Sequence, residues 1–478
     1  MLDAPFIDGL SHDITYITQM VSSHHNKGGS DMIQKIFSSF NKFERSDKDI
    51  SSRGGLVLFD GFLKSLKLDG LFSSLLPVPG SNRGKPAWDF IRCLSLLQYG
   101  GGSHLSDLRE LRDDKALLRS SGIGFIPSDS AAGDWLLRMG QKGGIEGMSQ
   151  AQAETVRQLL RHDRHDSYDM YIDPSIIDLG DKSNAKRVYT GVKGDRPIVV
   201  GLKEFPLLVH SEYREGNAMG GTLSALRKAF GTVESAGKKV GHVSADSEMY
   251  AADVLNWLSE KTTWAVAARQ DDTVKEEIQC IPEEAWKPFY TKDGLRNGRE
   301  IAITTHAMQE TEAFTLVVLR WANKNKNLFE DSPYIYHAIA TNMDVDPDKG
   351  IPLEKRTVSD GCRVVWKYNE RVQVENMIKE LKIGFGMESM PCGEFEANSM
   401  WFAIGVFTYN MLVAQKHLVL PDGMRKETIR TLRWKLVHIP IWIASHAGRT
   451  VLKISASMEK FSLFRLIAER TGKLAEVT

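Results

Sequence analysis

The sequence predicts a mixed α/β protein that begins with helices and carries a β-rich block inside its α/β part. Three observations lead there. From Gly54 to about Arg164 apolar residues recur at helical spacing. From Tyr168 to Ala268 β-branched runs alternate with helical stretches. Between about Asp271 and Lys355 further strand-like runs follow one another before helical periodicity resumes near Cys362.

Residues 1–53 are polar, with Ser22-Ser23-His24-His25 and Lys27-Gly28-Gly29, and read as an N-terminal extension. In 54–164, Leu105, Leu108, Leu111 and Leu117 repeat with charges between them, as on amphipathic helices. Gly100-Gly101-Gly102 predicts a helix break with Ser103 as the next cap. Pro127-Ser128-Asp129-Ser130 predicts another helix start, running through Trp135, Leu136 and Leu137. A small helical domain with a helix-turn-helix is one reading, helix packing for its own sake the other. In 165–270, strands are expected at Tyr168–Leu179, Pro197–Phe205, Leu207–Tyr213, Val240–Ala245 and Trp264–Ala268. Helices are expected over Leu223–Phe230 and around Ala251–Leu258. The β-rich block, 271–355, holds Ile301–Thr305, Phe314–Leu319 and Tyr334–Thr341, and helices fill 356–478.

Composition excludes some classes. The 478 residues carry 61 Lys+Arg and 61 Asp+Glu, for a formal charge of +0, with 42% hydrophobic and 26% charged residues. A wholly disordered or fibrous chain is excluded. Neutrality argues against a uniformly basic coat but leaves room for a basic groove. Cys93, Cys280, Cys362 and Cys392 are far apart, without a zinc-knuckle or disulfide spacing, as in a reducing cytoplasm. The uncharged run Met400–Ala414 falls short of the roughly 20 apolar residues of a membrane span and reads as a buried helix. A soluble cytoplasmic protein that does not engage a membrane is the expectation.

Three acidic residues stand out. Asp173 lies in or at the end of an apolar strand (Tyr171-Ile172-Asp173-Pro174), and Asp246 closes another (Val243-Ser244-Ala245-Asp246). Carboxylates at strand ends face the crevice where α/β sheets bind ligands, and two or three converging there suit Mg²⁺, a hard cation that takes oxygen. Each alone also reads as a strand-end cap or a solvated charge. Glu375 falls in a helical run. At about 100° per residue, Tyr368, Glu375, Lys379 and Lys382 share one face within roughly 60°, with Arg371 at its edge. A carboxylate flanked by cations and a phenol suits a metal ion beside phosphates. A solvated helix laced with pairs such as Arg371–Glu375 gives the same pattern.

The spacing Tyr368-x2-Arg371-x3-Glu375-x6-Lys382 resembles the Y-(2)-R-(3)-E-(6)-K signature of DDE transposases from bacterial insertion sequences. Ile172-Asp173-Pro174-Ser175 resembles the strand of the family's first aspartate and Ser244-Ala245-Asp246-Ser247 that of its second, although Pro174 stands where a small polar residue is usual. Arg214-Glu215-Gly216-Asn217 is similar to its R-x-G-N turn. Leu105-Ser106-Asp107-Leu108-Arg109 and Pro127-Ser128 resemble its helical N-terminal region, and Asn398 and Asn410 sit in a run like the helix after its glutamate. The resemblance covers roughly 54–470.

That resemblance implies a ribonuclease-H-like catalytic core with an inserted β-rich subdomain and a helical N-terminal DNA-binding domain. It implies that Asp173, Asp246 and Glu375 are catalytic and hold two Mg²⁺ ions, with Mn²⁺ as substitute, about 4 Å apart. Tyr368, Arg371, Lys379, Lys382 and Arg214 are expected to contact DNA. The implied activity is cleavage at terminal inverted repeats and joining of the 3′-OH ends to target DNA, by a homodimer in the cytoplasm and nucleoid of a bacterium. A metal-dependent nuclease without strand transfer fits the same residues. So does an idle DNA-binding descendant, although the intact acidic triad speaks against it.

Several other features are weighed lower. Asp169, Asp178 and Asp181 are decoys for Asp173, and His162-x2-His165 lacks a third metal ligand. Trp257, Trp264, Trp286 and Trp321 are expected in the core before any stacking on a flipped base. Pro421–Lys453 has seven Lys/Arg against two acidic residues, with Trp434 and Trp442 interleaved. It reads as a DNA-facing surface or the solvated basic face of an amphipathic helix.

Overall fold

Nine strands in one mixed sheet organise the protein, in the order β6-β5-β2-β7-β8-β12-β11-β10-β9. The structure, a computed structural model, describes residues 47–180, 185–218, 220–324, 332–345, 360–446 and 449–477. Most of the expected N-terminal extension, Asp181 and the boundary at 355–356 lie outside the described residues. In chain order the strands are β1 (Ile50–Ser51), β2 (Ser167–Pro174), β3 (Ile177–Asp178), β4 (Gly194–Asp195), β5 (Ile198–Leu202), β6 (Leu208–Glu212), β7 (Lys239–Ala245), β8 (Thr263–Ala267), β9 (Lys287–Tyr290), β10 (Arg296–His306), β11 (Phe314–Ala322), β12 (Tyr334–Thr341), β13 (Ile441–His446) and β14 (Arg449–Ile454).

Strands β2, β7 and β8 run parallel to one another, while β5 and β6 run antiparallel on the other side of β2. The parallel strands are buried on both faces, which is why Met170, Tyr171 and Ile172 form an unbroken apolar run. Among the described residues the β-rich block builds no sheet of its own. Its strand β12 pairs antiparallel with β8 (Ile339↔Ala267, Thr341↔Ala265), and β11, β10 and β9 continue outward. Alternation divides the two faces: Trp264 and Val266 join the main core, whereas Ala265 and Ala267 pack with Val317, Leu319, Val365 and Tyr368.

The first helices are α1 (Leu56–Ser65), α2 (Asp69–Leu75), α3 (Ala87–Gly100), α4 (Leu108–Arg112), α5 (Lys115–Ser121), α6 (Asp129–Gln141) and α7 (Gly144–Arg161). After them come α8 (Thr222–Glu234), α9 (Ala252–Lys261), α10 (Asp272–Gln279), α11 (Asp360–Asn369), α12 (Val372–Lys379), α13 (Phe395–Leu418), α14 (Ile429–Leu432) and α15 (Met458–Val477). Ser128 caps α6 as its spacing predicts, accepting from the Ala131 N–H. The glycine break also forms: Gly101 closes α3 with φ 104°, a left-handed turn open to glycine. The cap beyond it is Asp107 rather than Ser103, since its carboxylate accepts from the Ser103 and His104 N–H groups, each at 3.0 Å.

The run Met400–Ala414 lies within α13, which is buried on nearly every side. It packs against α3, α6 and α7, so the N-terminal helices wrap a C-terminal one, and Ile50–Thr478 forms one unit. Among the described residues no helix is long and apolar enough to cross a membrane. The polar residues of α13 make specific ties. Gln415 accepts from the Tyr99 hydroxyl at 2.7 Å, and Thr408 donates to Gln98 at 3.0 Å. Asn410 accepts from the Leu208 N–H at 2.8 Å and donates to the Leu208 carbonyl at 2.9 Å, serving the sheet edge as a neighbouring strand would.

The basic segment after Pro421 is not one amphipathic helix. It forms α14, a wide turn over Arg433–Val437, and the hairpin β13–β14, which pairs with β1. Arg433 turns inward and donates to the Gln98 and Tyr99 carbonyls at 2.6 and 2.7 Å, capping α3, while Trp434 stays 75% exposed.

Candidate active site

The site starts from a register. In the parallel pair β2–β7, Ile172 stands opposite Ala245, so the next residue on each strand, Asp173 and Asp246, emerges at the same sheet edge. Neighbouring strands run about 4.8 Å apart, which places the two carboxylates side by side. Pro174 ends β2 directly after Asp173, where its missing N–H removes no interior ladder bond. Asp246 Oδ1 accepts from the Glu248 N–H at 3.0 Å and fixes the short turn over Ser247–Met249.

Glu375 arrives on α12, which packs on β2 and β5. The single helical face expected across 368–382 does not form. Helix α11 ends at Asn369, Glu370 and Arg371 turn, and α12 begins at Val372; after Lys379 the coil widens to i→i+5 bonding over Glu380–Gly384. Tyr368 is accordingly not on an outer face with Glu375. It is buried in the second core, 5.7 Å from the His337 ring, and the Arg371 guanidinium lies 5.8 Å from its own ring.

Arg371 joins the elements. One nitrogen of its fork donates to Asp173 Oδ1, and Nη2 meets Glu375 Oε1 at 2.9 Å. Burial pushes the Asp173 carboxyl up to about 7; the guanidinium opposes that shift, and the charges of Asp246 and Glu375 add to it. Burial also raises Asp246, against the Glu248 N–H, Arg371 and Arg196. Burial alone would lower Arg371, but Tyr368 and the three carboxylates hold it above its usual value. A single guanidinium facing three carboxylates stays charged without offsetting them all.

The other expected residues fall into place differently. Lys379 is exposed on α12, one turn beyond Glu375. Half-buried Lys382 donates to the Ile176 carbonyl at 2.7 Å and ties the end of the signature segment to the loop after Asp173. Arg214 turns inward, only 12% exposed, onto Glu212 at 2.7 Å and the Gly220 and Gly221 carbonyls at 2.8 and 3.2 Å. Its guanidinium braces the loop that enters α8. The decoy Asp169 is a paired ion: burial raises it, but Lys367 and Lys203 hold it below the usual carboxylate range. His165 pairs with Asp163 at 2.7 Å. Trp264 and Trp286 are buried, and Trp321 carries the Arg299 guanidinium 4.7 Å from its ring.

Two features escaped sequence reasoning. Glu370, in the α11–α12 turn, pairs with Lys203 at 2.7 Å beside Lys367–Asp169, so the turn is clamped to the sheet by ions. Arg196 pairs with Glu248 and, with Tyr189 (80% exposed) and Arg269, lines a cleft of about 740 Å³ that opens beside Asp246. The Asp246-x-Glu248 spacing was the only available signal for it.

The donor chemistry fits a hard divalent cation: three carboxylates, Asp173 and Asp246 on adjacent strand ends and Glu375 joined to Asp173 through Arg371. As they stand, no three Asp, Glu, His or Cys side chains among the described residues are drawn together into a metal set. The space between Asp173 and Glu375 belongs to the guanidinium.

Two acidic strand ends side by side, with a third carboxylate on a later helix, make up the candidate site of this mixed α/β fold. The chain belongs to the family described as transposase DDE domain, group 1, whose model matches residues 41–476. No curated protein matches it. Among solved structures it is similar to the piggyBac transposase in a cryo-EM synaptic complex with hairpin DNA, at 13% identity over 80% of each chain and a TM-score of 0.45.

Proposed function

We propose that this chain is a DNA transposase that binds the terminal inverted repeats of its own element, cleaves at the ends and joins the 3′-OH ends to target DNA. The observation that carries this reading is the side-by-side emergence of Asp173 and Asp246 from β2 and β7, with Glu375 linked to Asp173 through Arg371, in a chain of the DDE family. The strand pattern supports a ribonuclease-H-like core: three antiparallel strands, β6-β5-β2, followed by two parallel ones, β7 and β8.

Asp173, Asp246 and Glu375 would hold divalent metal, Mg²⁺ or Mn²⁺. When bound there, it supplies charge neutralisation and Lewis acidity at the scissile phosphate. The chain's own residues do the rest. Parallel strand ends hold two carboxylates in fixed register, so little reorganisation is needed at the moment of reaction. Exposed Lys379 offers a cation to the backbone beside Glu375. Lys382 keeps ammonium donors beyond the one on Ile176, enough for a phosphate oxygen as well. Arg214 acts through the loop it braces. The N-terminal helices would read the repeat, and a homodimer would bring two ends together.

The test is a set of charge-neutral, isosteric variants: Asp173→Asn, Asp246→Asn and Glu375→Gln. Each is expected to abolish cleavage of a terminal-repeat duplex in Mg²⁺ while gel-shift binding persists. Normal cutting by any one of them removes that residue from the site. A strand-transfer assay with pre-cut ends distinguishes a transposase from a nuclease that only hydrolyses.

A further inference from the structure

One guanidinium stands where the proposed site calls for a divalent cation. Its fork is shared between two carboxylates, Asp173 and Glu375, and Asp246 is a third negative charge acting on it. The Arg371 side chain is 17% exposed, stands at the turn between α11 and α12, and lies 5.8 Å from the Tyr368 ring. Of the oxygens that would ligate metal, Asp173 Oδ1 already accepts a hydrogen bond from this side chain and Glu375 Oε1 is ion-paired with it. That accounts for a triad whose members influence one another yet do not converge as ligands.

We infer that Arg371 is a built-in counter-ion: it holds the carboxylates in the metal-free protein and yields them to metal when DNA phosphate draws its guanidinium away. This rests on the reading of the site as a metal-dependent phosphoryl-transfer centre. The exchange is chemically even-handed. A guanidinium fork binds phosphate in the same bidentate way as carboxylate, so arriving backbone offers Arg371 a partner of equal kind. Metal entering without DNA must instead leave a part-buried guanidinium unpaired, which is costly. Metal and DNA therefore assist each other, and linkage requires the two effects to be equal: if DNA tightens metal binding by some factor, metal tightens DNA binding by the same factor. The device would keep the centre unloaded until a backbone lies across it.

The experiment measures Mn²⁺ uptake by the full chain from the EPR signal of free Mn²⁺, with and without a short random-sequence duplex at low salt. Duplex alone and Asp173→Asn serve as backgrounds. Wild type is expected to bind Mn²⁺ weakly and to tighten by about 10-fold with DNA, within the usual range of coupling. Arg371→Gln alone should bind about as tightly as wild type with DNA, and DNA should add little. Arg371→Lys keeps the charge without the fork. It should fall between the two, and it serves if the glutamine variant does not fold. Uptake that depends on Asp173 but is the same in wild type and both Arg371 variants, with or without DNA, overturns the counter-ion role and leaves the metal centre standing. Absence of any Asp173-dependent uptake in every form overturns the metal centre, and the counter-ion with it.

Discussion

Gly201→Val is expected to separate chemistry from DNA binding. Gly201 lies on β5 opposite Tyr171 of β2, and a Cβ built on it would stand 2.6 Å from Met377 Sδ and 3.5 Å from Met377 Cε. Non-bonded carbon contacts lie at about 3.5–4.0 Å, so even alanine needs relief of about 1 Å. Met377 is 4% exposed, two residues past Glu375 on α12. Its flexible end can bend aside for one methyl group. The two further methyls of valine exceed that slack, and close-packed neighbours leave the helix itself to give way. The strand is spared, because valine suits it. A catalytic group misplaced by about 1 Å costs on the order of 100-fold in rate. The assay is single-turnover cleavage of a terminal-repeat duplex beside gel-shift binding of the same duplex. Rates should fall from Gly to Ala to Val, with Val near 100-fold and binding unchanged. Adding Met377→Ala, which opens the space that valine needs, should restore part of the loss. Wild-type cutting by Gly201→Val, or no recovery in the double variant, would refute the dependence of the site on this contact.

Asn410→Leu leaves both backbone groups of Leu208 without partners inside the core and should cost about 2–4 kcal/mol, read as a lower urea midpoint; a loss below about 0.5 kcal/mol would show that the edge finds other partners. Burial pushes the His242 imidazole down to about 4, with Lys367 adding to the shift, so the folded chain holds it neutral where the unfolded chain binds a proton. Its contribution is fully present above about pH 6.5 and is lost as pH falls toward 4, by about 3 kcal/mol at most, and His242→Gln should flatten that part of the stability–pH curve. Lys382→Ala should weaken matched and random duplexes alike and reduce the slope of log affinity against log salt by about one unit; an unchanged slope would confine Lys382 to its bond with Ile176.

The two aspartates were legible because a strand end announces itself locally: an apolar run stops at a carboxylate, and parallel pairing then needs no further information to bring two such ends together. The broken helix was not legible. Nothing between Tyr368 and Lys382 is a glycine or proline, and the periodicity is helical throughout. The turn at Glu370–Arg371 is imposed from outside, by Lys367 on Asp169, Glu370 on Lys203 and Arg371 on Asp173, with Tyr368 drawn into the second core. Tertiary ion pairs overrode propensity there. Arg433, in the basic segment, and Arg214, in its R-x-G-N turn, show the same blindness to direction: a cation reads identically whether it faces solvent or caps a carbonyl, and both turn inward. The β-rich block was legible as strands but not as an extension of the main sheet, because the pairing of β12 with β8 spans about seventy residues and leaves no local mark.

These failures share a cause, and it bears on function. Sequence spacing reports which groups can meet, whereas the distribution of charge after folding decides which of them are free. In this chain Asp169, Arg214 and Arg433 are committed to internal partners, Lys379 is exposed, and Arg371 is committed to Asp173 and Glu375. A signature in which Arg and Glu stand four apart on a solvated helix describes a weak exposed pair. With Arg371 at the N-cap of α12 and pressed onto the end of β2, the same spacing makes the arginine a partner of Asp173 as well as of Glu375. The four-residue interval sets the guanidinium between two carboxylates, one at the end of β2 and one on α12.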